Sequence, residues 1–174
     1  MNNVEVNDLD INLENNNFLG TLLYHLSGVL QDTIGLEDSR GLVSVVGRYM
    51  GDEINQEYKN ALSLHKLPKN LLAKVLVDLK ARINGQFYVI LEDDNKIIFG
   101  NKRCPFGDKV IGRPSLCMMT TNVFGKIASE STGYAKVSID KAIALGDDEC
   151  RVTVHLNQNS LSEDLPGREF YGES

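Results

Sequence analysis

Three cysteines, Cys104, Cys117 and Cys150, are the residues of this chain best suited to bind a metal ion or to react. Cys104 lies in a loop interrupted by glycines and prolines, Cys117 lies beside a predicted helix start, and Cys150 begins a predicted strand. Such a loop can fold back over the next helix, so the three thiols could meet where that helix contacts the sheet. Three thiolates could then bind zinc or an iron–sulfur cluster, with one further ligand from elsewhere.

The reactivity of these thiols depends on their surroundings. Cys117 falls in the first turn of its helix, where unpaired N–H groups and the helix dipole should lower its pKa. Nucleophilic catalysis also needs a neighbouring base, and none of the three histidines has a spacing that brings it to a cysteine. We therefore expect no enzymatic activity.

The spacing of the cysteines is not that of a CxxC pair, so a ligand site is one interpretation among others. Asp147 and Asp148 precede Cys150 and are candidates to support such a site. The alternative is that the cysteines are reduced and buried, because free cysteine is among the residue types most often found in protein cores.

Composition restricts the class of protein. The chain has 174 residues, 42% of them apolar and 24% charged, which is typical of one globular domain. Its net charge of −6 and the lack of a dense basic cluster argue against binding to nucleic acid or to anionic membranes. No apolar run reaches transmembrane length, and the N-terminus lacks signal-peptide features, so we expect a cytoplasmic protein with reduced thiols.

The predicted elements come in runs of the same type rather than in strict alternation. Apolar periodicity and turn signals predict helices over 18–35, 38–62, 67–85 and 115–131, a β-hairpin over 86–101, and strands over 133–140 and 150–156. This order predicts an α+β fold in which helices pack on a mainly antiparallel sheet of about four strands. We expect residues 1–17 to be a poorly ordered tail, 18–156 a single domain, and 157–174 a surface tail.

The second predicted helix contains Gly41, Gly47 and Gly51. Each glycine costs a helix about 1 kcal/mol relative to alanine, so the repetition suggests close approach of another helix. That helix could belong to the same chain or to a second subunit, and the sequence leaves both open.

Several phrases of the sequence carry a resemblance to a known family. These are VLVDLKARINGQFYVILEDDNKIIFGN, then CPFG and GRPSLCMMTTNVFG, then GYAKV and GDDECRV. Together they resemble the methanogen output domain, a small module found with sensor kinases and response regulators. The resemblance implies a signalling role, with a histidine kinase or response regulator as partner.

A more distant similarity concerns the cysteines. The phrases around them are similar to the C-terminal sensing half of winged-helix iron–sulfur repressors, which carries four cysteines. Cys104, Cys117 and Cys150 match its first, second and last, whereas its third has no counterpart here. This similarity implies a metal or cluster with an incomplete ligand set.

These observations lead to one functional hypothesis and one alternative. The hypothesis is a non-enzymatic cytoplasmic sensor or output domain, a homodimer through its helical N-terminal half, which binds a metal, a cluster or a small ligand through Cys104, Cys117 and Cys150. The alternative is a structural interaction module for dimerisation or docking to a kinase or regulator, with the cysteines in its core.

Overall fold

The computed structural model describes residues 10–11, 14–158 and 165–172. The helices are α1 (Asn15–Ile34), α2 (Leu36–Leu62), α3 (Lys69–Arg82) and α4 (Cys117–Thr132). The strands are β1 (Phe87–Glu92), β2 (Lys96–Asn101), β3 (Tyr134–Lys141), β4 (Cys150–His155) and β5 (Arg168–Tyr171). Among the residues described, no helix combines the length and the apolar content needed to cross a bilayer.

The five strands form one antiparallel sheet in the order β1-β2-β4-β3-β5. The α+β class is therefore confirmed, with one strand more than predicted. The additional strand, β5, lies at the sheet edge within the segment 157–174, which we expected to be only a surface tail. Most of the predicted N-terminal tail lies outside the described residues, and Asn15 to Asn17 open α1.

The core lies between the sheet and helices α3 and α4. Phe99 of β2 and Phe124 of α4 are fully buried, and their rings meet edge to face with centroids 5.2 Å apart. Other fully buried side chains come from α3, α4, β2 and β4, among them Leu72, Leu76, Ile127, Ile97, Val152 and Val154. The apolar stripes that predicted α3 and α4 are thus the faces that these helices bury.

Close packing of α2 on α4 explains two of the three glycines. A Cβ atom at Gly47 would lie 2.9 Å from the Cβ of Asn122 and 3.2 Å from the carbonyl oxygen of Met118. A Cβ at Gly51 would lie 3.0 Å from the Cβ of Lys126. Gly47 and Gly51 therefore serve packing inside one chain, and a dimer seam built on these two glycines is wrong.

Matched leucine substitutions test this packing. Gly47→Leu should lower the free energy of unfolding by about 1–3 kcal/mol, because the side chain would collide with α4. Gly41→Leu is the control, since a Cβ at Gly41 has no described atom within 4 Å; it should leave stability unchanged or raise it slightly. Urea denaturation of both variants measures the difference, and equal effects would contradict the close contact of α2 with α4.

Candidate functional site

All three cysteines line one small cavity, which we call the thiol cavity. It lies where β4, the start of α4 and the loop 102–116 meet, and its volume of about 30 Å³ has room for one or two water molecules. Its other lining residues are Phe87, Asn101, Pro105, Phe106, Val110, Leu116, Thr120, Ile139 and Val152. Three residues distant in sequence thus face the same space.

Strand pairing and a folded-back loop produce this arrangement. Cys150 begins β4 directly opposite Asn101, the last residue of β2. The buried Asn101 side chain accepts a hydrogen bond at Oδ1 from the backbone N–H of Arg103 (3.2 Å), which turns the chain toward Cys104. Two short 3-10 helices, Gly107–Val110 and Pro114–Leu116, then return the loop to the start of α4.

The geometry does not support the predicted metal site. Within the described residues, no group of three or more His, Cys, Asp or Glu side chains is placed to hold a metal ion. Asp147 and Asp148 do not line the thiol cavity. Instead, Asp147 Oδ2 accepts a hydrogen bond of 2.7 Å from the backbone N–H of Ala142, which closes the turn before β4. The role predicted for the two aspartates as supporting residues is therefore not supported.

Burial makes the thiols weak acids. It raises the pKa of Cys104 and raises that of Cys117 to about 12, so both are neutral at pH 7. The predicted lowering of the Cys117 pKa is wrong, because loss of hydration outweighs the effect of the helix N-terminus. The backbone N–H of Cys117 also already donates to the carbonyl of Pro114. Cys104 and Cys117 consequently present weak S–H donors rather than thiolates.

A buried lysine lies beside the thiol cavity. Lys80 of α3 is 4% exposed, and its Nζ donates a 2.9 Å hydrogen bond to Oγ1 of Thr120, a residue of the cavity wall. The same Nζ lies 5.3 Å from the ring centroids of Phe87 and Phe124. Burial lowers the pKa of Lys80 to about 8. The negative charge that the three cysteines carry when ionised would raise this pKa, which places all three near Lys80. Lys80 is therefore mostly charged at pH 7.

Lys80 was not among the predicted site residues, although its position in the sequence indicates that it is buried. Lys80 follows Leu76 by four residues and Leu72 by eight, so it belongs to the apolar face of α3. A lysine in that register either extends its ammonium group to solvent along the apolar stem or buries the charge inside the protein. Only the packed structure shows that its charge stays inside.

An apolar groove adjoins the thiol cavity. This apolar groove has a volume of about 240 Å³ and is lined by Leu23, Leu26, Ser27, Leu30, Leu42, Val43, Val46, Phe106, Leu116 and Met119. Phe106 and Leu116 line both spaces, so these two side chains form the wall between them. Phe106 is only partly buried.

The loop 102–116 also attaches helix α1. In the described structure α1 packs mainly on α2 and on the two 3-10 helices of this loop. Lys109 Nζ donates to Oγ1 of Thr21 (2.6 Å), and the Arg113 guanidinium stacks 4.4 Å from the ring centroid of Tyr24. The wall of the thiol cavity and the support of α1 are thus one segment.

Comparison with known proteins identifies the family of this chain. Fold and site define a small α+β domain with a cavity between its sheet, helix α4 and the loop 102–116. The chain belongs to the methanogen output domain 1 family, whose model matches residues 22–155. Comparison with curated proteins gives no match. The similarity to iron–sulfur repressors stays a prediction.

Two solved structures show the same fold. One is the phenol-responsive sensory domain of the transcription activator PoxR with phenol, with a TM-score of 0.60, 19% sequence identity, and coverage of 83% of this chain and 76% of that chain. The other is a trafficking protein particle complex subunit 3 from Naegleria fowleri, covalently bound to palmitic acid. Its TM-score is 0.55 at 15% identity, and the match covers 82% of this chain and 97% of that chain.

The buried charge of Lys80 predicts a pH-dependent stability. Its folded pKa of about 8 lies below that of an exposed lysine, so between these values the unfolded chain binds more protons and the free energy of unfolding rises with pH. Lys80→Met should be more stable than the wild type at pH 7. That advantage should shrink by about 1 kcal/mol between pH 7 and pH 9, as the wild-type lysine loses its proton.

Chemical denaturation at several pH values measures this difference. Lys126→Met is the matched control, because Lys126 pairs with Asp52 (3.1 Å) and Glu130 (2.9 Å). It should be less stable than the wild type, with no comparable change between pH 7 and pH 9. If the difference in free energy of unfolding between Lys80→Met and the wild type stayed constant from pH 7 to pH 9, Lys80 would not be held charged in the interior.

Proposed function

We propose that this domain is a non-enzymatic, ligand-responsive signalling module of the cytoplasm, and that a small, largely apolar molecule occupies the apolar groove and reaches the thiol cavity. The observation that carries this proposal is the shared wall of Phe106 and Leu116 between the two spaces. The groove volume of about 240 Å³ lies just below the range of small-molecule pockets, which begins at about 300 Å³.

The loop 102–116 supplies a route for the signal. A ligand that displaces Phe106 acts on the segment that contacts α1 through Lys109 and Arg113. Two further hydrogen bonds join loop and helix: Gln31 Nε2 donates to the carbonyl of Gly112 (3.3 Å), and Ser115 Oγ donates to Gln31 Oε1 (2.7 Å). The ligand would therefore favour one position of α1 over another, which is the two-state behaviour a sensor requires.

The fold is compatible with ligands of this kind. The similar PoxR domain is phenol-responsive, and the similar trafficking subunit is covalently bound to palmitic acid. Both ligands have a largely apolar body. This supports an apolar ligand here, while the identity of the ligand must follow from this chain's own side chains.

A zinc ion or an iron–sulfur cluster is the second candidate occupant, favoured by the placement of three thiols around one cavity. Metal ligation requires thiolates, so it would have to remove protons from groups whose pKa burial has raised. Anaerobic purification with assays for zinc, iron and sulfide tests this alternative. If the wild type contains stoichiometric metal and the Cys104→Ala and Cys117→Ala variants do not, the metal and not an apolar ligand is the occupant.

A binding experiment with neutral probes tests the proposed function. Phenol and 1-octanol should bind the wild type and raise its melting temperature, because binding to the folded state alone stabilises it. Leu30→Trp, which fills the groove, should weaken 1-octanol binding about tenfold or more, a loss of at least about 1.4 kcal/mol. Leu145→Trp is the control, since Leu145 is exposed and lies outside the groove; it should bind like the wild type.

Calorimetry gives the affinities, and circular dichroism shows that both variants fold. If neither phenol nor 1-octanol bound to the folded wild type, the proposed ligand class would be contradicted. Equal binding by Leu30→Trp and Leu145→Trp would place the site elsewhere.

We also propose that the output is carried by a homodimer, formed by the apolar face of α1 and α2. This face consists of exposed side chains: Phe18, Leu19, Leu22, Val29, Leu42, Val45, Val46, Tyr49 and Met50. Helices α1 and α2 are about 30 Å and 40 Å long, and each presents a strip about 8–10 Å wide. Together they present roughly 600–700 Å², which is at the upper limit of apolar patches on monomers and near the ~800 Å² per partner of stable complexes.

Charge favours a second copy of this chain at that face. The protein has a net charge of −6, so two copies repel each other over most of their surfaces. Helix α1 carries only one acidic residue, Asp32, and no Lys or Arg. Two copies that meet through α1 therefore approach with little repulsion, and a shift of the loop under α1 would alter their contact. A histidine kinase or response regulator would read that change.

A charge substitution tests the dimer. Leu22→Glu places a charge on the proposed interface, since Leu22 is 51% exposed and does not line the apolar groove. It should convert a dimer to a monomer, measured by sedimentation equilibrium. Leu145→Glu adds the same charge at a 68% exposed position in the turn before β4 and should leave the mass unchanged. A wild type that is monomeric at all concentrations would contradict the dimer.

A further inference from the structure

On the basis of the proposed ligand-binding function, we propose that the ligand is an organic monoanion. Its charged oxygen atoms would lie in the thiol cavity and face Lys80, and its apolar body would lie in the groove. The class includes carboxylates and phenolates, which share one compact negative group on an apolar body. The proposal names a chemistry that the apolar groove alone would not select.

The hydrogen-bonding capacity of Lys80 is the first observation. An ammonium group has three N–H donors. One of them is used by Thr120 Oγ1 at 2.9 Å, and the nearby rings of Phe87 and Phe124 offer only their faces. Because Thr120 itself lines the thiol cavity, Nζ lies one hydrogen bond away from that space.

The second observation is the absence of a balancing charge. Among the residues that the structure describes, no carboxylate forms an ion pair with Lys80. A buried charge without a partner is costly, and proteins normally pair it. Lys126 of α4, which is also buried, follows this rule with Asp52 and Glu130. Lys80 therefore has the environment of a cation whose counter-ion is supplied from outside the chain.

The remaining groups around the cavity also favour an anion. Cys104 and Cys117 are neutral thiols at pH 7, because burial raises the pKa of both. The positive charge of Arg40 acts to lower the pKa of Cys117, against the larger effect of burial. The carboxylate of Glu37 forms an ion pair with Arg40 at 2.7 Å. The S–H groups can donate weakly to an oxygen atom. A neutral ligand would leave Lys80 without a counter-ion.

The small volume of the thiol cavity sets the size of the head group. About 30 Å³ accommodates a single compact group in place of one or two water molecules, whereas the adjoining 240 Å³ accepts the apolar body. A medium-chain fatty acid has this shape. It would pass between Phe106 and Leu116, so the same molecule that neutralises Lys80 would displace the loop.

Two probes of equal length and different charge test the inference. Octanoate and 1-octanol should be titrated into the wild type and into Lys80→Met at pH 7 by calorimetry. The wild type should bind octanoate at least tenfold more tightly than 1-octanol. Lys80→Met should lose this preference and keep its affinity for 1-octanol. Lys74→Met removes an exposed lysine of the same helix and should retain the wild-type preference.

The outcomes separate this inference from the proposed function. Equal affinities of the wild type for both probes, or an octanoate preference that survives in Lys80→Met, would overturn the monoanion and leave an apolar ligand. Binding of neither probe would overturn the apolar ligand itself, and the monoanion with it. If Lys80→Met failed to fold, the carboxyl ¹³C shift of labelled octanoate bound to the wild type would decide. An ionised carboxyl group supports the inference, and a protonated one overturns it.

Discussion

The loop 102–116 is the segment on which the rest of this structure depends, because it serves two parts of the molecule at once. Its inner side chains, including Cys104 and Phe106, line the thiol cavity. Its outer side chains Lys109 and Arg113 contact α1. The two 3-10 helices give it a defined path without a long regular element. Under the proposed function, a molecule that changes the inner side would act on α1, which packs on α2 and on this loop.

Electrostatics gives the thiol cavity its chemical character. The same loss of hydration acts in opposite directions on acids and bases: it keeps Cys104 and Cys117 protonated and lowers the pKa of Lys80. The result is a region with two neutral thiols and one positive charge. Such a region suits an anionic head group better than a cation, which explains why three cysteines in one place need not indicate a metal.

The two sides of helix α2 have different surroundings. Gly47 and Gly51 let one side of it lie directly on α4, so that side contributes to stability. The opposite side, with Leu42 and Val46, borders the apolar groove and the exposed face shared with α1. The proposed ligand and the proposed dimer would thus contact neighbouring side chains, and a coupling between them would need no long pathway.

The sequence by itself determined the local structure of this protein, and tertiary packing decided its chemistry. Apolar periodicity located α1 to α4 and the hairpin within a few residues. In α3 and α4 the periodic apolar face is the buried one, whereas the apolar stripes of α1 and α2 are exposed. The strand β5 was missed because its four residues, REFY, have little pattern of their own and pair only because β3 offers an edge. The sequence also singled out Cys104, Cys117 and Cys150, but their pKa values and the position of Lys80 depend on burial. Burial is a property of the assembled fold, and no spacing along the chain specifies it.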